Sequence, residues 1–341
     1  MSAIEKVGIG IVGCGYWGPN LVRNFAELDD ACVRGVCDLS PKRLAVVQKR
    51  HPGVALFTSY EEMLRMPGLD AVCIVTPVKT HFKLAKAALD AGKHVFVEKP
   101  IASSVREVRQ LMDLAAKRQR VLMVDHTFIY TGAVRRIKEL VTRGELGDIH
   151  YYDSTRVNLG LFQHDVNVVW DLAIHDLAIM EFVFGKQPRA VSATGMSHLA
   201  GQPENIAFLT IFYDGNFVAH LNVNWLAPVK VRRTLIGGSR KMIVYDDIEP
   251  SEKLKIYDRG ISATPSQERI YQMLISYRTG DVWVPKLDTT EALAIEARHF
   301  LDCIAGKAKP LSGGEAGLTT VKILEAASKS MKARGKLVKL S

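Results

Sequence analysis

The chain has 341 residues, of which 48% are hydrophobic and 24% are charged, as is ordinary for a globular protein with two substantial cores. No apolar stretch reaches the roughly 20 residues that span a bilayer, and the N-terminus lacks the features of a signal peptide, so we expect no membrane partner. The five cysteines include no C-x-x-C pair, which predicts buried free thiols and a cytoplasmic protein.

The formal net charge of +9 raises the question of nucleic acid as a partner. The basic residues are spread along the chain and are not interleaved with aromatic residues, so we expect no nucleic-acid binding. A positive surface favours instead the encounter with a small anionic substrate.

The first predicted strand, Val7–Val12, leads into the sequence Gly13-Cys14-Gly15-Tyr16-Trp17-Gly18 and a predicted helix over Tyr16–Leu28. This G-x-G-x-x-G pattern is typical of a loop that lies against the pyrophosphate of a dinucleotide. The N–H groups at the start of the helix add favourable sites for the anion. We therefore predict that Gly13, Gly15 and Gly18 bind the cofactor.

A second predicted strand, Ala31–Cys37, ends at Asp38, 20 residues after Gly18. An acidic side chain at this distance can accept hydrogen bonds from the ribose of NAD and repels the 2′-phosphate of NADP. Asp38 also suits an ordinary turn or helix cap, and the nearby Lys42 and Arg43 would tolerate NADP. The residues favour NAD and leave NADP open.

Further short apolar strands alternate with segments of helical spacing. The strands are Val54–Phe57, Ala71–Val75, His94–Val97 and Val121–Val124, and the helices are Tyr60–Met66, Thr80–Ala91 and Ser103–Arg118. This alternation predicts a doubly wound parallel sheet, in which ligands lie beyond the carboxyl ends of the strands. We expect the chemistry in the residues that follow the strands: Thr76-Pro77, Glu98-Lys99-Pro100 and Asp125-His126.

The pattern changes after residue 125, which predicts two domains of class α/β. Residues 1–125 form a Rossmann domain that binds NAD(P), and residues 126–341 form an α+β domain with a mostly antiparallel open sheet. In the second domain, Ile206–Tyr213 and Asn216–Trp225 flank Asp214-Gly215, which predicts a two-residue hairpin turn. The first of these strands is apolar on both faces, so we expect a homodimer or homotetramer formed through this sheet.

The segment Trp170–Asp176 opens a predicted helix that ends at Gly185. Asp171 and His175 are four residues apart and share one face of that helix. A histidine oriented by a carboxylate can act as an acid or base, but the spacing by itself fits an ordinary surface pair better. No motif supplies a third ligand, so no metal site is predicted.

Taken together, Gly13–Gly18, Glu98-Lys99-Pro100 and the Asp171–His175 pair resemble the Gfo/Idh/MocA family of glucose–fructose oxidoreductase and inositol dehydrogenase. The resemblance extends over essentially the whole chain. Residues 15–25, together with 156–160 and 167–176, resemble a subgroup that acts on sugar nucleotides. Similar members oxidise the 3-hydroxyl of a UDP-linked N-acetylglucosamine or of its uronic acid, and others oxidise inositol or free sugars.

The resemblance implies an NAD-dependent dehydrogenase that acts on a secondary alcohol of a sugar. It implies that Lys99, Asp171 and His175 are catalytic and meet over the nicotinamide, with the base being either Lys99 or His175. The cofactor contacts that it adds are Tyr16, Trp17, Thr76, Pro77, His81 and Glu98, and the substrate contacts are Arg156, Asn158 and Asn167. An inositol or free-sugar dehydrogenase, or a nicotinamide-binding sensor without catalysis, stands as the alternative.

Overall fold

The computed structural model describes residues 6–160, 165–258 and 280–340. Its contacts divide the chain into two compact units. The first consists of Met1–Tyr130 and Thr290–Val321, and the second of Thr131–Thr289 and Lys322–Ser341. The prediction assigned everything after residue 125 to the second domain, whereas the contacts group Thr290–Val321 with the first unit.

The first unit contains a six-stranded parallel sheet with the order β3-β2-β1-β4-β5-β6. The strands are β1 Val7–Val12, β2 Ala31–Cys37, β3 Ala55–Phe57, β4 Ala71–Ile74, β5 His94–Glu98 and β6 Leu122–Asp125. The order reverses between β1 and β4, and ligands of such sheets bind at this reversal. The predicted doubly wound architecture is confirmed.

Helices follow the strands of this sheet in turn. They are α1 Gly18–Ala26, α2 Pro41–Arg50, α3 Tyr60–Leu64, α4 Val78–Asp90 and α5 Val105–Arg118. Ser59 and Ser104 cap α3 and α5, because each hydroxyl accepts a hydrogen bond from the N–H of the glutamate three residues later. These bonds satisfy N–H groups that the first turn of a helix leaves without a partner.

A late helix, α8 (Ala292–Ile304), belongs to the first unit because it contributes to that unit's core. Its Phe300 ring centroid lies 6.3 Å from that of Phe25 and 5.4 Å from that of Phe96. Arg298 of the same helix forms an ion pair with Asp30, with an Nη1–Oδ2 distance of 2.8 Å. Such contacts between residues far apart in sequence are not visible in local periodicity.

The second unit is built on a nine-stranded sheet with the order β14-β13-β12-β11-β7-β10-β9-β8-β15. The strands are β7 Ile149–Val157, β8 Pro188–Met196, β9 Ile206–Tyr213, β10 Val218–Asn224, β11 Val231–Gly238, β12 Met242–Asp246, β13 Leu254–Tyr257, β14 Val282–Trp283 and β15 Val338–Lys339. Among the described strands of this sheet, only the pair β7–β10 is parallel. The predicted mostly antiparallel sheet is confirmed.

The helices of the second unit include α6 (Gly132–Thr142) and α7 (Ile174–Phe184). The last helix, α9 (Gly314–Lys332), contributes residues to both units. Helix α7 ends at Gly185, which has a φ of 58° and so adopts the left-handed conformation common at helix ends. The predicted end of this helix is correct.

The predicted hairpin between β9 and β10 exists, but its turn is longer than expected. The pair closest to the turn is Phe212–Val218, so residues 213–217 form the connection. Among these residues only Gly215 has a positive φ, of 76°. A two-residue type I′ turn needs positive φ at both central positions, and Asp214 does not adopt it.

The two faces of β9 differ in exposure. Ala207, Leu209 and Ile211 are fully buried on one face. On the other, Phe208 and Phe212 are 41% and 40% exposed. The sequence indicates that β9 is apolar on both faces, and the face with Phe208 and Phe212 is exposed to solvent in the single chain.

No helix in the described part of the chain is both long and apolar enough to span a membrane.

All five cysteines are free thiols, and four of them are buried. Among the buried ones is Cys14, within the glycine-rich loop.

Candidate active site

The loop after β1 has the geometry of a dinucleotide cradle. Gly13 has a φ of 94°, and a Cβ there would lie 2.6 Å from the carbonyl oxygen of Val75. A Cβ on Gly18 would lie 2.2 Å from the carbonyl oxygen of Gly13, whereas one on Gly15 would meet nothing within 4 Å. Packing thus requires the first and third glycines, and the second leaves open space for a pyrophosphate.

Helix α1 starts directly behind this loop. Its first turn contains Pro19 and no acidic residue, and the side chain at the cap position, Trp17, makes no capping hydrogen bond. The positive end of the helix is therefore not neutralised by a nearby side chain, which suits it to a phosphate anion.

Asp38 lies at the end of β2 and is only 7% exposed. Its Oδ2 accepts the N–H of Cys14 at 2.7 Å, and its Oδ1 accepts the N–H of Ser40 at 2.8 Å. A carboxylate offers about four lone-pair sites, so it can accept ribose hydroxyls in addition. The sequence suggested two roles for Asp38, as a turn residue and as an acceptor for ribose hydroxyls. This geometry is compatible with both roles.

Residues at the carboxyl ends of β4 and β5 are tied together by the buried ring of His81. Its Nδ1 lies 2.8 Å from the carbonyl oxygen of Pro100, and its Nε2 lies 2.7 Å from that of Thr76. His81 thus holds the segments after both strands in place. Direct contacts of Thr76, Pro77 and His81 with the cofactor stay predictions.

Lys99 directly follows β5, where Glu98 pairs in register with Asp125 of β6. The Glu98 carboxylate accepts the N–H of Lys99 at 2.7 Å. Burial and the Lys99 ammonium lower the pKa of His126 to about 3, so this imidazole is neutral. The end of β5 therefore presents a half-buried cation beside a neutral ring.

The two aromatic residues of the loop differ in their surroundings. Tyr16 is 92% exposed. Trp17 is half-buried, and its indole Nε1–H donates to Asp125 Oδ2 at 2.7 Å. Stacking of either residue on the cofactor stays a prediction.

In the second unit, Asp171 lies in a wide π-type turn, Val169–Ala173, which runs into α7. Asn167 starts this turn, because its Oδ1 accepts the N–H groups of Val169 and Trp170 at 3.2 and 3.3 Å. The Asp171 carboxylate accepts the indole N–H of Trp225 at 3.0 Å. Asp171 and His175 are both half-buried, and their catalytic role stays a prediction.

Trp225 directly follows β10. The sequence analysis did not predict that it would be a hydrogen-bond partner of Asp171. A buried tryptophan after a strand gives an indole N–H that needs an acceptor, which is the pattern that could have identified it. The hydrogen bond orients the Asp171 carboxylate from the sheet side.

Arg156 is 3% exposed and forms a buried ion pair with Asp176 of α7, with an Nε–Oδ2 distance of 2.6 Å. Asp176 also accepts the hydroxyls of Ser154 at 2.7 Å and Tyr152 at 3.3 Å. The pair links α7 to strand β7, so the structure gives Arg156 a structural task. Its predicted contact with substrate stays a prediction.

The other two predicted substrate contacts also have neighbours in the second unit. The amide of Asn167 donates to Glu204 at 3.0 Å, and the backbone N–H of Asn158 donates to the carbonyl of Asn224 at 3.0 Å. Both residues are half-buried, and their contact with substrate stays a prediction. Among the residues that the structure describes, no cluster of three or more His, Cys, Asp or Glu could hold a metal ion.

An open glycine loop at the reversal point of a parallel sheet, with an acidic residue closing β2, defines a dinucleotide-binding protein of the Rossmann class. Residues 7–126 match the family model described as "oxidoreductase family, NAD-binding Rossmann fold". Residues 134–244 match the GFO/IDH/MocA C-terminal domain. The chain belongs to the Gfo/Idh/MocA oxidoreductase family, whose members are NAD(P)-dependent dehydrogenases acting on CH–OH groups.

Relatives of the chain are named as dehydrogenases of different substrates. The chain is 28% identical over 312 residues to a UDP-N-acetylglucosamine 3-dehydrogenase of Acidithiobacillus ferrooxidans, covering 90% of this chain and 92% of that protein. It is 23% identical over 341 residues to a myo-inositol 2-dehydrogenase of Thermotoga maritima, covering 95% and 96%.

Solved structures share the fold over the full length. That of the UDP-N-acetylglucosamine 3-dehydrogenase GnnA from Acidithiobacillus ferrooxidans superposes with a TM-score of 0.81 at 26% identity, covering 96% of this chain and 98% of that one. The WlbA dehydrogenase of Bordetella pertussis, in complex with NADH and UDP-GlcNAcA, superposes with a TM-score of 0.83 at 19% identity, covering 99% and 98%.

The buried Arg156–Asp176 pair gives a stability prediction. Asp176→Ala leaves the buried guanidinium without its carboxylate and should lower the free energy of unfolding by about 3–5 kcal/mol. Replacing both residues, Arg156→Met with Asp176→Leu, should restore most of this loss, because no unpaired charge remains buried. Urea denaturation measures both effects.

The exposed pair Arg189–Asp214 of the same unit is the matched control, and Asp214→Ala should change stability little. A double variant no more stable than Asp176→Ala would contradict the structural role of the pair.

Proposed function

We propose that the protein oxidises a secondary alcohol of a sugar nucleotide with NAD, at C3 of a substrate of the UDP-N-acetylglucosamine type. The observation that carries this proposal is the similarity to a UDP-N-acetylglucosamine 3-dehydrogenase over nine-tenths of the chain. The net charge of +9 supports an anionic substrate. The five free thiols fit a reducing compartment, so the reaction takes place in the cytoplasm.

In this proposal Lys99 stabilises the negative charge that develops on the substrate oxygen. A secondary alcohol does not ionise unaided at neutral pH, so a fixed donor facing that oxygen lowers the barrier. One such interaction contributes about 3–4 kcal/mol in a site that excludes water. The glycine loop and Asp38 would hold NAD, which would supply the acceptor for the hydride that leaves the carbinol carbon.

His175 takes the hydroxyl proton, and Asp171 orients the imidazole or binds a neighbouring hydroxyl. The indole of Trp225 supports this role, because its hydrogen bond to Asp171 holds the carboxylate in one orientation. General base catalysis by a positioned histidine contributes a factor of about 10² to 10⁴. The same residues with reversed roles serve the reduction of a keto sugar.

A second candidate is an inositol or free-sugar dehydrogenase, which the similarity to a myo-inositol 2-dehydrogenase favours. The two candidates differ in whether the site holds a nucleotide. UDP without a sugar should inhibit a sugar-nucleotide dehydrogenase and leave an inositol dehydrogenase unaffected.

The test of the function follows NADH absorbance with NAD and one substrate at a time. We expect NADH formation with UDP-N-acetylglucosamine or its uronic acid, none with free N-acetylglucosamine or myo-inositol, and competitive inhibition by UDP. Turnover of myo-inositol without UDP inhibition would favour the second candidate. NAD binding without turnover of any sugar would favour a nicotinamide-binding sensor.

Two substitutions test the assigned roles. Lys99→Met should lower kcat by about 10²- to 10³-fold, because the developing charge loses its donor. His175→Ala should lower kcat by about 10²- to 10⁴-fold, because the base is lost. Steady-state kinetics measures both, and NAD titration should give near wild-type affinity.

Lys117→Met on α5 and His150→Ala on β7 are matched controls, since both side chains are exposed. Full activity of Lys99→Met and His175→Ala on the true substrate would reject the assignment.

We also propose that the open face of the nine-stranded sheet forms a homo-oligomer. Its exposed apolar residues come from four neighbouring strands: Tyr151, Met196, Phe208, Phe212 and Val218. The pairings Val218–Phe212 and Val218–Tyr151 bring three of them side by side. A contiguous apolar patch on a water-facing sheet favours burial against a second copy.

Replacing Phe208 and Phe212 with lysine should dissociate this oligomer, because like charges would face each other across a symmetric interface. Sedimentation equilibrium measures the mass. Lys339→Glu on the edge strand β15 is the surface control. A wild-type protein that sediments as a monomer at micromolar concentration would reject the proposal.

A further inference from the structure

The ring of His81 lies between two backbone carbonyl groups. It is 1% exposed, with Nδ1 2.8 Å from the oxygen of Pro100 and Nε2 2.7 Å from the oxygen of Thr76. A carbonyl oxygen carries no proton, so each of these contacts is a hydrogen bond only if the ring nitrogen carries one. A neutral imidazole has one N–H and can donate to one carbonyl, whereas an imidazolium donates to both.

Two other histidines of the first unit have different surroundings. His94, at the opposite end of β5, accepts the backbone N–H of Val121 at its Nδ1, at 3.0 Å, and burial lowers its pKa to about 4. Within the described part of the chain, neither ring nitrogen of His126 has a hydrogen-bond partner, and burial lowers its pKa to about 3. Both rings are therefore neutral at neutral pH. His81 differs from them because an acceptor faces each of its nitrogens.

Two effects oppose a positive charge on His81. The ring is buried, and it lies in the first turn of α4, where the helix dipole disfavours a cation. Two short hydrogen bonds, which a charged donor strengthens, act in the other direction. Loss of one proton would leave a nitrogen lone pair facing a carbonyl oxygen at less than 3 Å, shielded from water, and that contact is repulsive. The geometry therefore requires the imidazolium.

Titratable groups also lie on α4 and on the elements packed against it. Tyr60 of α3 and Cys73 of β4 are buried, and burial raises the pKa of both, so they are neutral at neutral pH. The charged groups nearest the carboxyl edge are Lys79 and Lys83 of α4, Glu98 and Lys99 at the end of β5, and Arg106 and Glu107 of α5. Four of these are cations and two are carboxylates, so their sum does not favour a further cation. The two carbonyl acceptors are what stabilises it.

His81 connects two segments that matter for the dinucleotide site. A Cβ on Gly13 would lie 2.6 Å from the carbonyl oxygen of Val75 and 3.0 Å from Cγ2 of Thr76, so the glycine loop packs directly on the residues after β4. The other carbonyl belongs to Pro100, which follows Lys99. The ring thus holds both the support of the glycine loop and the backbone beside Lys99.

We propose that His81 is an imidazolium at neutral pH and that its second proton keeps these two segments in place for NAD binding. The His81 clamp consists of this ring and the carbonyls of Thr76 and Pro100. When the ring loses one proton, one carbonyl loses its donor, and the segment after β4 or the segment after β5 is released. His81 is a positioning residue that acts through these segments. The inference does not depend on which sugar is oxidised.

Nitrogen NMR of ¹⁵N-histidine-labelled protein tests the charge directly, because protonated and bare ring nitrogens resonate far apart. At about pH 7.5, roughly one unit above the usual pKa of histidine, both nitrogens of His81 should carry a proton. His94 and His126 should each show one bare nitrogen in the same spectrum. The signals of His81 are assigned by their loss in His81→Gln. A bare nitrogen on His81 at this pH would overturn the proposal.

The affinity for NAD, measured by isothermal titration calorimetry, tests the clamp. His81→Phe keeps a ring but no donor and should weaken NAD about tenfold, because both carbonyls lose their partners. His81→Gln keeps amide N–H donors without the charge and should weaken NAD less than His81→Phe does. His150→Phe, at an exposed histidine of β7, is the matched control and should leave the affinity unchanged. Wild-type affinity in His81→Phe would reject the clamp.

The pH profile separates the role of the second proton from a purely structural role. The NAD affinity of the wild type, relative to that of His81→Gln, should stay constant while the ring carries both protons. It should fall at the pH where NMR shows that one proton is lost. A relative affinity that does not follow the protonation of His81 would overturn the proposal. If circular dichroism shows that His81→Phe does not fold, the wild-type spectrum and the comparison with His81→Gln still decide.

Discussion

The reversal of strand order between β1 and β4 is the constraint on which the site in the first unit depends. All six strands of this sheet run in the same direction, so every strand ends at the same edge. The glycine loop after β1, Asp38 after β2, Lys99 after β5 and Asp125 at the end of β6 are collected there without any local sequence relation. The strand order therefore determines where the candidate site of the first unit lies, and the side chains at that edge determine what it can bind.

The second unit uses buried polar contacts to hold one helix against its sheet. Asp176 of α7 receives a guanidinium and two hydroxyls from strand β7, and Asp171 of the preceding turn receives an indole N–H from the end of β10. Burying such polar and charged groups is unfavourable unless each has a partner, so few other positions of the helix against the sheet would be stable. Helix α7 and the turn before it are thereby fixed relative to the strands, and they present His175 in a defined position within this unit.

Local patterns in the sequence were sufficient for most of the fold. Strands β1, β2 and β9 begin and end at the predicted residues, because a glycine or an aspartate directly follows each of these largely apolar runs. The membership of α8 in the first unit and the bond from Trp225 to Asp171 depend on contacts between residues far apart in sequence, which periodicity does not encode. The predicted turn at Asp214-Gly215 was too short, because Asp214 keeps a negative φ and the chain closes at Phe212–Val218.

The cysteine in the glycine loop has a chemical consequence for a protein that handles redox cofactors. Burial, together with the Asp38 carboxylate, raises the pKa of Cys14 to about 11, and burial raises that of Cys37 to about 11 as well. The thiolate is the form that reacts with peroxides and alkylating agents, and at neutral pH it is scarce at both positions. A buried thiol in a dinucleotide-binding loop therefore stays protonated at neutral pH, which makes Cys14 a poor nucleophile.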